Sequence, residues 1–166
     1  MTREHAAWKP GMMYAIPLPD GRYGVAQAIE AMMSNAIYVA VFRHIMNTPS
    51  IAVREARKDD VVSLIAVVKS SLKNWRTAGV VHPAVDKASF PNETTGRHGY
   101  IGAKVYDAGI VADFVAAFHG IRPWNVMKDE NYFDHLLAPD VSRPAAVVVL
   151  SPDERRDYRT REFGVE

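Results

Sequence analysis

The chain has 166 residues, a formal net charge of +1 and 48% hydrophobic residues. This length and apolar content suit one domain with a full core and exclude global disorder, and the near-zero charge argues against a general nucleic-acid or membrane-surface binder. The sequence contains no cysteine, which excludes disulfides and thiolate metal sites.

The N-terminal part predicts an antiparallel meander. Residues 10–29 contain two β-rich runs separated by Pro19, Asp20 and Gly21, a combination that favours a tight turn because proline presets φ and Asp and Gly tolerate positive φ. A third β-rich run covers residues 36–42. Short links between such runs indicate the start of a small barrel or a strongly curved sheet.

The middle of the chain is less regular. Residues 51–53 fit either a short edge strand or a loop, whereas the β-branched run at residues 61–68 favours a buried strand. Residues 69–74 predict a turn or helical turn, and residues 78–81 a short strand. Residues 82–99 show no periodicity, and a loop of this length is typical of a functional segment, so it is the first candidate for a recognition surface; a loose connector is the alternative.

The C-terminal part predicts helices. Apolar spacing indicates a helix over residues 107–120, with Asp107 as its N-cap and Gly120 just past its end. A short helix is expected over residues 130–137 with Asp129 as N-cap, a late buried strand over residues 145–150, and a last helix that begins with a capping box.

These elements predict an α+β fold, in which an N-terminal antiparallel meander forms a small SH3-like curved sheet or barrel and C-terminal helices pack against it. The whole chain, residues 1–166, is expected to be a single domain. It would consist of a β-rich part at residues 10–81, a loop at residues 82–99 and a helix-rich part at residues 100–166.

The sequence offers no catalytic motif. Its six histidines are scattered, none forms the i, i+4 pair of a helical zinc site, and no phosphate-binding loop or nucleophile elbow is present. The acidic residues Asp129, Glu130 and Asp134 suit compensation of a helix dipole better than paired-carboxylate chemistry. We therefore expect no catalytic residue, metal or cofactor. An enzyme site assembled around residues 82–99, with His82 and His98, remains an alternative.

Aromatic and basic residues outside the periodic elements suggest a binding surface, because aromatic anchors are the usual hot spots of protein interfaces. The candidate partner surface consists of Arg22, Tyr23, Trp75, Arg97, His98 and Trp124. The N-terminus has no apolar run of a secretion signal and no stretch is long enough to span a bilayer, so the expected location is the cytoplasm.

Two motifs resemble the immunity protein 26 family of bacterial polymorphic toxin systems. The first is Pro10-Gly11 followed by residues 14–18 and then by residues 20–24, and the second is a tryptophan, Trp75, shortly before Gly79. The resemblance covers about the first 80 residues. It implies a non-enzymatic protein that binds a toxin domain and blocks it, without a cofactor and without catalytic residues.

A small barrel that binds nucleic acid is disfavoured by the overall charge but stays open as an alternative. It would place the following basic residues on one face: Arg22, Lys69, Lys73, Arg76 and Arg97. Its affinity would fall steeply as salt rises.

Overall fold

A computed structural model describes residues 7–50, 56–93, 99 and 102–165. Within them lies a six-stranded sheet whose strands are β1 (Met12–Pro17), β2 (Tyr23–Met33), β3 (Ala36–Met46), β4 (Val61–Val68), β5 (Arg76–Val80) and β6 (Val105–Tyr106). The order across the sheet is β5-β1-β2-β3-β4-β6. Every neighbouring pair is antiparallel except β4 and β6, which are parallel.

The predicted turn between the first two strands is confirmed. Leu18 donates its N–H to the carbonyl of Arg22 at 2.9 Å, and Gly21 donates to the carbonyl of Leu18 at 3.1 Å. Gly21 adopts a φ of +86°, a left-handed conformation that glycine tolerates without steric cost. The Asp20 side chain closes the turn by accepting from the backbone N–H of Arg22 at 3.0 Å.

The α+β class and the antiparallel meander are confirmed, but the sheet is open, so the barrel alternative is wrong. Strands β5 and β6 lie at opposite edges and do not meet. The finer expectation, that this curved sheet is SH3-like, stays a prediction.

Helix α1 (Ala108–Phe118) covers one face of the sheet, as the apolar spacing predicts. Asp107 caps it, since its carboxylate accepts from the N–H of Gly109 at 2.7 Å. Its buried face contributes Val111, Phe114 and Val115 to the same core as Ile16 and Val39 of the sheet.

The opposite face is covered by residues 84–93, which belong to the segment predicted as a loop. A 3-10 turn (Lys87–Ser89) lies within it, and Val85 and Phe90 are buried against the second side of the sheet. The ring of Phe90 lies 4.5 Å from that of Tyr38, centroid to centroid. The described part of the predicted loop is therefore a packing layer, and the sheet lies between two layers.

Three C-terminal expectations change. The predicted helix at residues 130–137 is a 3-10 helix (Tyr132–Leu136), and Asp129 accepts from the N–H of Asn131 instead of capping that helix. The predicted buried strand at residues 145–150 is wrong: Val148 forms a single parallel bridge with Pro123 and is 44% exposed. This apolar run lies outside the sheet, and most of its residues are exposed, although Val147 is partly buried against the core.

Helix α2 (Pro152–Phe163) begins with the predicted capping box. It has no buried residue, so the expectation that the C-terminal helices pack against the sheet holds for α1 and for the 3-10 helix (Tyr132–Leu136) but not for α2. Arg155 ties α2 to the rest of the chain through the carbonyls of Asn125 and Met127. No helix among the described residues has the length and apolar character needed to cross a membrane. The expected edge strand at residues 51–53 lies outside the described residues.

Candidate partner-binding groove

A groove of about 1140 Å³ lies beside the edge strand β5. Its walls come from three places in the chain: the segment before β1, the turn between β2 and β3, and the 3-10 helix (Lys69–Asn74) that leads into β5. The lining residues used below are Trp8, Tyr14, Lys69, Lys73, Trp75 and Arg76. We call this site the β5 groove.

The floor of the β5 groove is aromatic. The rings of Tyr14 and Trp75 meet edge to face with centroids 5.8 Å apart, and their residues are only 4% and 7% exposed. Burial raises the pKa of the Tyr14 hydroxyl. Leu72 completes the floor, and Trp8 from the N-terminal segment is half-buried at its side. The floor is therefore rigid and largely apolar.

The rim of the groove is cationic. Lys69, Lys73 and Arg76 are exposed and line it, and none of the described lining residues carries a carboxylate. Neither lysine has an ion-pair partner within the described part of the chain. The guanidinium of Arg76 lies over the ring of Tyr23, 5.9 Å from its centroid. The positive charges are thus available for a partner.

Two residues of the predicted surface lie beside this groove. Tyr23 is joined to it by the contact with Arg76, and Arg22 precedes Tyr23 at the start of β2. The guanidinium of Arg22 is bound to the Asp20 carboxylate at 2.6 Å, and hydrogen bonds from Arg22 lower the pKa of that carboxyl. Arg22 is therefore partly neutralised, unlike the three cations of the rim.

The other predicted surface residues are placed differently. Trp124 is completely buried and packs against Phe114 and Phe133, with ring centroids 5.8 and 5.6 Å away. Periodicity could not predict this burial, because Trp124 lies in irregular chain between helices. Arg97 and His98 lie outside the described residues.

A second concavity of about 540 Å³ lies beside the other edge strand, β6. It contains the pair His135 and Asp129, with Nε2 3.2 Å from Oδ2, and the rings of Tyr106 and Tyr132. Burial and the neighbouring Tyr132 raise the pKa of Tyr106. The described contacts give His135 no hydroxyl nucleophile to activate, so the pair shows no triad geometry.

The three acidic residues singled out in the sequence have three different basic side chains as partners. Asp134 accepts two hydrogen bonds from Arg143 at 2.7 and 2.6 Å, which lower the pKa of its carboxyl. Asp129 faces His135, and Glu130 faces Arg155 at 3.6 Å. These pairs account for the acidic cluster better than dipole compensation does, because the helix that follows is a short 3-10 helix.

Over the described ranges, no group of three or more histidines, aspartates or glutamates could hold a metal ion. His82 is exposed, and its backbone carbonyl accepts from the buried side chain of Gln27. Its proposed neighbour in an enzyme site, His98, lies outside the described residues.

The sequence predicts a shared face for the cations of the groove only under the nucleic-acid alternative, and the predicted partner surface does not include Trp8. The feature of the sequence that could have identified the groove is the run from Lys69 to Arg76, in which basic residues flank a tryptophan. The sequence alone could not predict that the ring of Tyr14 packs against that of Trp75.

The model of the immunity protein 26 family matches residues 9–96, a little more than half of the chain. The chain therefore belongs to the immunity protein 26 family, as its two motifs predict. The matched region contains strands β1 to β5 and all of the β5 groove except its first residues. No curated protein and no solved structure matches the chain.

Proposed function

We propose that this protein neutralises a bacterial toxin by binding it, without a catalytic step and in the cytoplasm of the cell that it protects. Membership of the immunity protein 26 family carries the proposal, because an immunity protein acts by engaging a toxin. A toxin domain is the expected partner, and no cofactor is needed for such an activity.

The binding surface we propose is centred on the β5 groove. It combines the rigid aromatic floor at Trp75 with Tyr23 and Arg22 at the neighbouring turn. Aromatic anchors surrounded by polar groups are the usual energetic centre of protein interfaces. Trp124 is not included, because its buried ring offers no surface to a partner.

The convergence of Lys69, Lys73 and Arg76 favours a second candidate, a nucleic-acid-binding function. Single-stranded nucleic acid binds through basic grooves whose aromatic rings stack on bases. The rings of Tyr14 and Trp75 are nearly covered, which leaves them little open face for stacking. We therefore rank this function second.

The test begins with affinity capture of the tagged protein from its own host at moderate and at high salt. A protein retained in stoichiometric amount is then identified, and its domain is expressed in a heterologous bacterium with and without the present chain. We expect growth arrest by the partner alone and recovery of growth when both are produced.

Two results would contradict the proposal. One is a captured protein whose toxicity is unchanged by co-expression. The other is retention of nucleic acid alone, released as salt rises, which would favour the second candidate.

A further inference from the structure

The β5 groove combines one sign of charge with an apolar floor. Three cations line it, and no carboxylate does among the described residues, although the whole chain is nearly neutral. A local positive potential of this kind attracts and orients a negatively charged partner. The groove therefore has a charge preference that the net charge of the protein does not reveal.

The neighbouring turn does not share this preference. Arg22 there is bound to Asp20 at 2.6 Å, so its charge is already compensated. In the groove, Lys69 and Lys73 lie four residues apart on the 3-10 helix, and Arg76 begins β5. None of the three has an ion-pair partner among the described residues. These three cations define where the groove would hold an acidic group.

We propose that the β5 groove binds an acidic peptide segment of the toxin partner, with carboxylates at Lys69, Lys73 and Arg76 and an apolar side chain against Trp8 and Trp75. The inference rests on the proposed function for the nature of the partner, and on the charges and floor of the groove for its chemistry. A carboxylate gains charge-assisted hydrogen bonds from lysine and arginine.

An acidic protein segment fits these observations better than nucleic acid does. Trp75 is 7% exposed and Tyr14 is 4% exposed, so a base would find no free ring face to stack on. An apolar side chain of a peptide can instead pack against the partly buried Trp8 and the small exposed part of Trp75. The positive charges of Lys69, Lys73 and Arg76 then attract the carboxylates of the same peptide.

The probes are acetylated and amidated decapeptides that alternate Asp or Glu with Phe, Trp or Leu. Decapeptides with Lys and Arg at the acidic positions and a ten-nucleotide oligothymidylate serve as comparisons. Binding is measured by isothermal titration calorimetry at two salt concentrations and by the indole N–H signals of the three tryptophans in NMR spectra. The buried Trp124 is the internal reference.

The key variant is the double substitution Lys69→Glu and Lys73→Glu. Its matched control, Lys58→Glu and Lys104→Glu, makes the same change in net charge at two exposed lysines that do not line the groove. Circular dichroism and the denaturation midpoint verify that both variants are folded.

We expect acidic decapeptides to bind and to shift the indole signal of Trp75 but not that of Trp124. The groove variant should weaken this binding about tenfold or more, whereas the control variant should weaken it less than about twofold. The inference is overturned if no acidic decapeptide binds, if the two variants behave alike, or if oligothymidylate binds in preference.

The toxin identified by the capture experiment separates this inference from the proposed function. If the groove variant still binds and neutralises that toxin as the unmodified protein does, the groove inference fails while the toxin-binding function stands. If acidic peptides bind in the groove but no toxin is neutralised, the proposed function fails and the peptide preference of the groove stands.

Discussion

Gly24 sets how closely helix α1 approaches strand β2. A Cβ atom at this position would lie 2.7 Å from Cγ1 of Val115, far inside normal contact distance. Valine is stiff at χ1, so its methyl group cannot easily move away. The absence of a side chain at Gly24 thus permits the packing of the helix on the sheet.

Gly24→Ala is therefore expected to lower the free energy of unfolding by about 1–3 kcal/mol through overpacking. Urea denaturation of this variant, of Val115→Ala and of the double variant measures the effect. The two substitutions should be less than additive, because the smaller side chain at 115 relieves the clash. Additive effects would show that the contact does not govern the packing.

Gln27 connects the sheet to the layer that covers its second face. Its buried amide donates to the carbonyls of Val81 and His82 at 3.2 and 3.1 Å, and its oxygen accepts from the N–H of Ala84 at 2.9 Å. The side chain thus fixes the chain as it leaves β5 and crosses beneath the sheet.

Gln27→Leu keeps the approximate volume but leaves these backbone groups without a partner. We expect a loss of about 2–4 kcal/mol in the free energy of unfolding, together with faster hydrogen exchange at Ala84. Glu30→Ala on the exposed part of the same strand is the control and should change stability by less than about 0.5 kcal/mol. Equal effects from both substitutions would contradict this role.

At the scale of elements, helices α1 and α2 both have side-chain N-caps, but they contribute differently to the stability of the fold. Helix α1 buries most of its residues, whereas α2 buries none. A cap on α1 therefore stabilises the core, and a cap on α2 stabilises a surface helix that is tethered through Arg155.

Asp107→Ala should lower the global free energy of unfolding by about 1 kcal/mol, the usual cost of a lost N-cap. Ser151→Ala should reduce helicity in the far-ultraviolet spectrum while leaving the denaturation midpoint almost unchanged, because α2 can fray alone. Thermal melts followed by circular dichroism and by tryptophan fluorescence distinguish the two. A comparable shift in midpoint from both variants would show that α2 unfolds together with the core.

At the scale of the whole molecule, His119 couples the end of α1 to the first hairpin. Burial lowers the pKa of this histidine, and the positive charge of Arg22 lowers it further, against a smaller opposing effect of Asp20. Its Nε2 atom has no hydrogen-bond partner among the described residues. The neutral form is thus favoured in the folded state.

Because the folded-state pKa lies below the unfolded value of about 6.5, the unfolded chain binds more protons between these two values. Stability should therefore fall as pH decreases from about 7 through the folded-state pKa. Denaturation curves from pH 7.5 to 5 should show a smaller decrease for His119→Asn than for the unmodified protein. Identical pH profiles would exclude a contribution from His119.

The sequence by itself determined the local elements and the family. The turn at residues 19–21, the α1 cap at Asp107 and the capping box at Ser151 depend on residues close together in the chain, so their types were sufficient to predict them. The two family motifs likewise consist of short runs, and the family model that matches residues 9–96 confirms the family they predict.

Only the tertiary structure decided which segments of the chain pack against each other. It placed Trp124 in the core, used residues 84–93 as a second layer, left residues 145–150 outside the sheet, and gathered Trp8, Trp75 and the two lysines of the 3-10 helix into one groove. Apolar or basic residue types are compatible with either a core or a surface, and the choice depends on contacts between distant segments. No local periodicity encodes such contacts, which is why the turn and the helix caps were predictable, whereas the strand at residues 145–150 and the assembly of the groove were not.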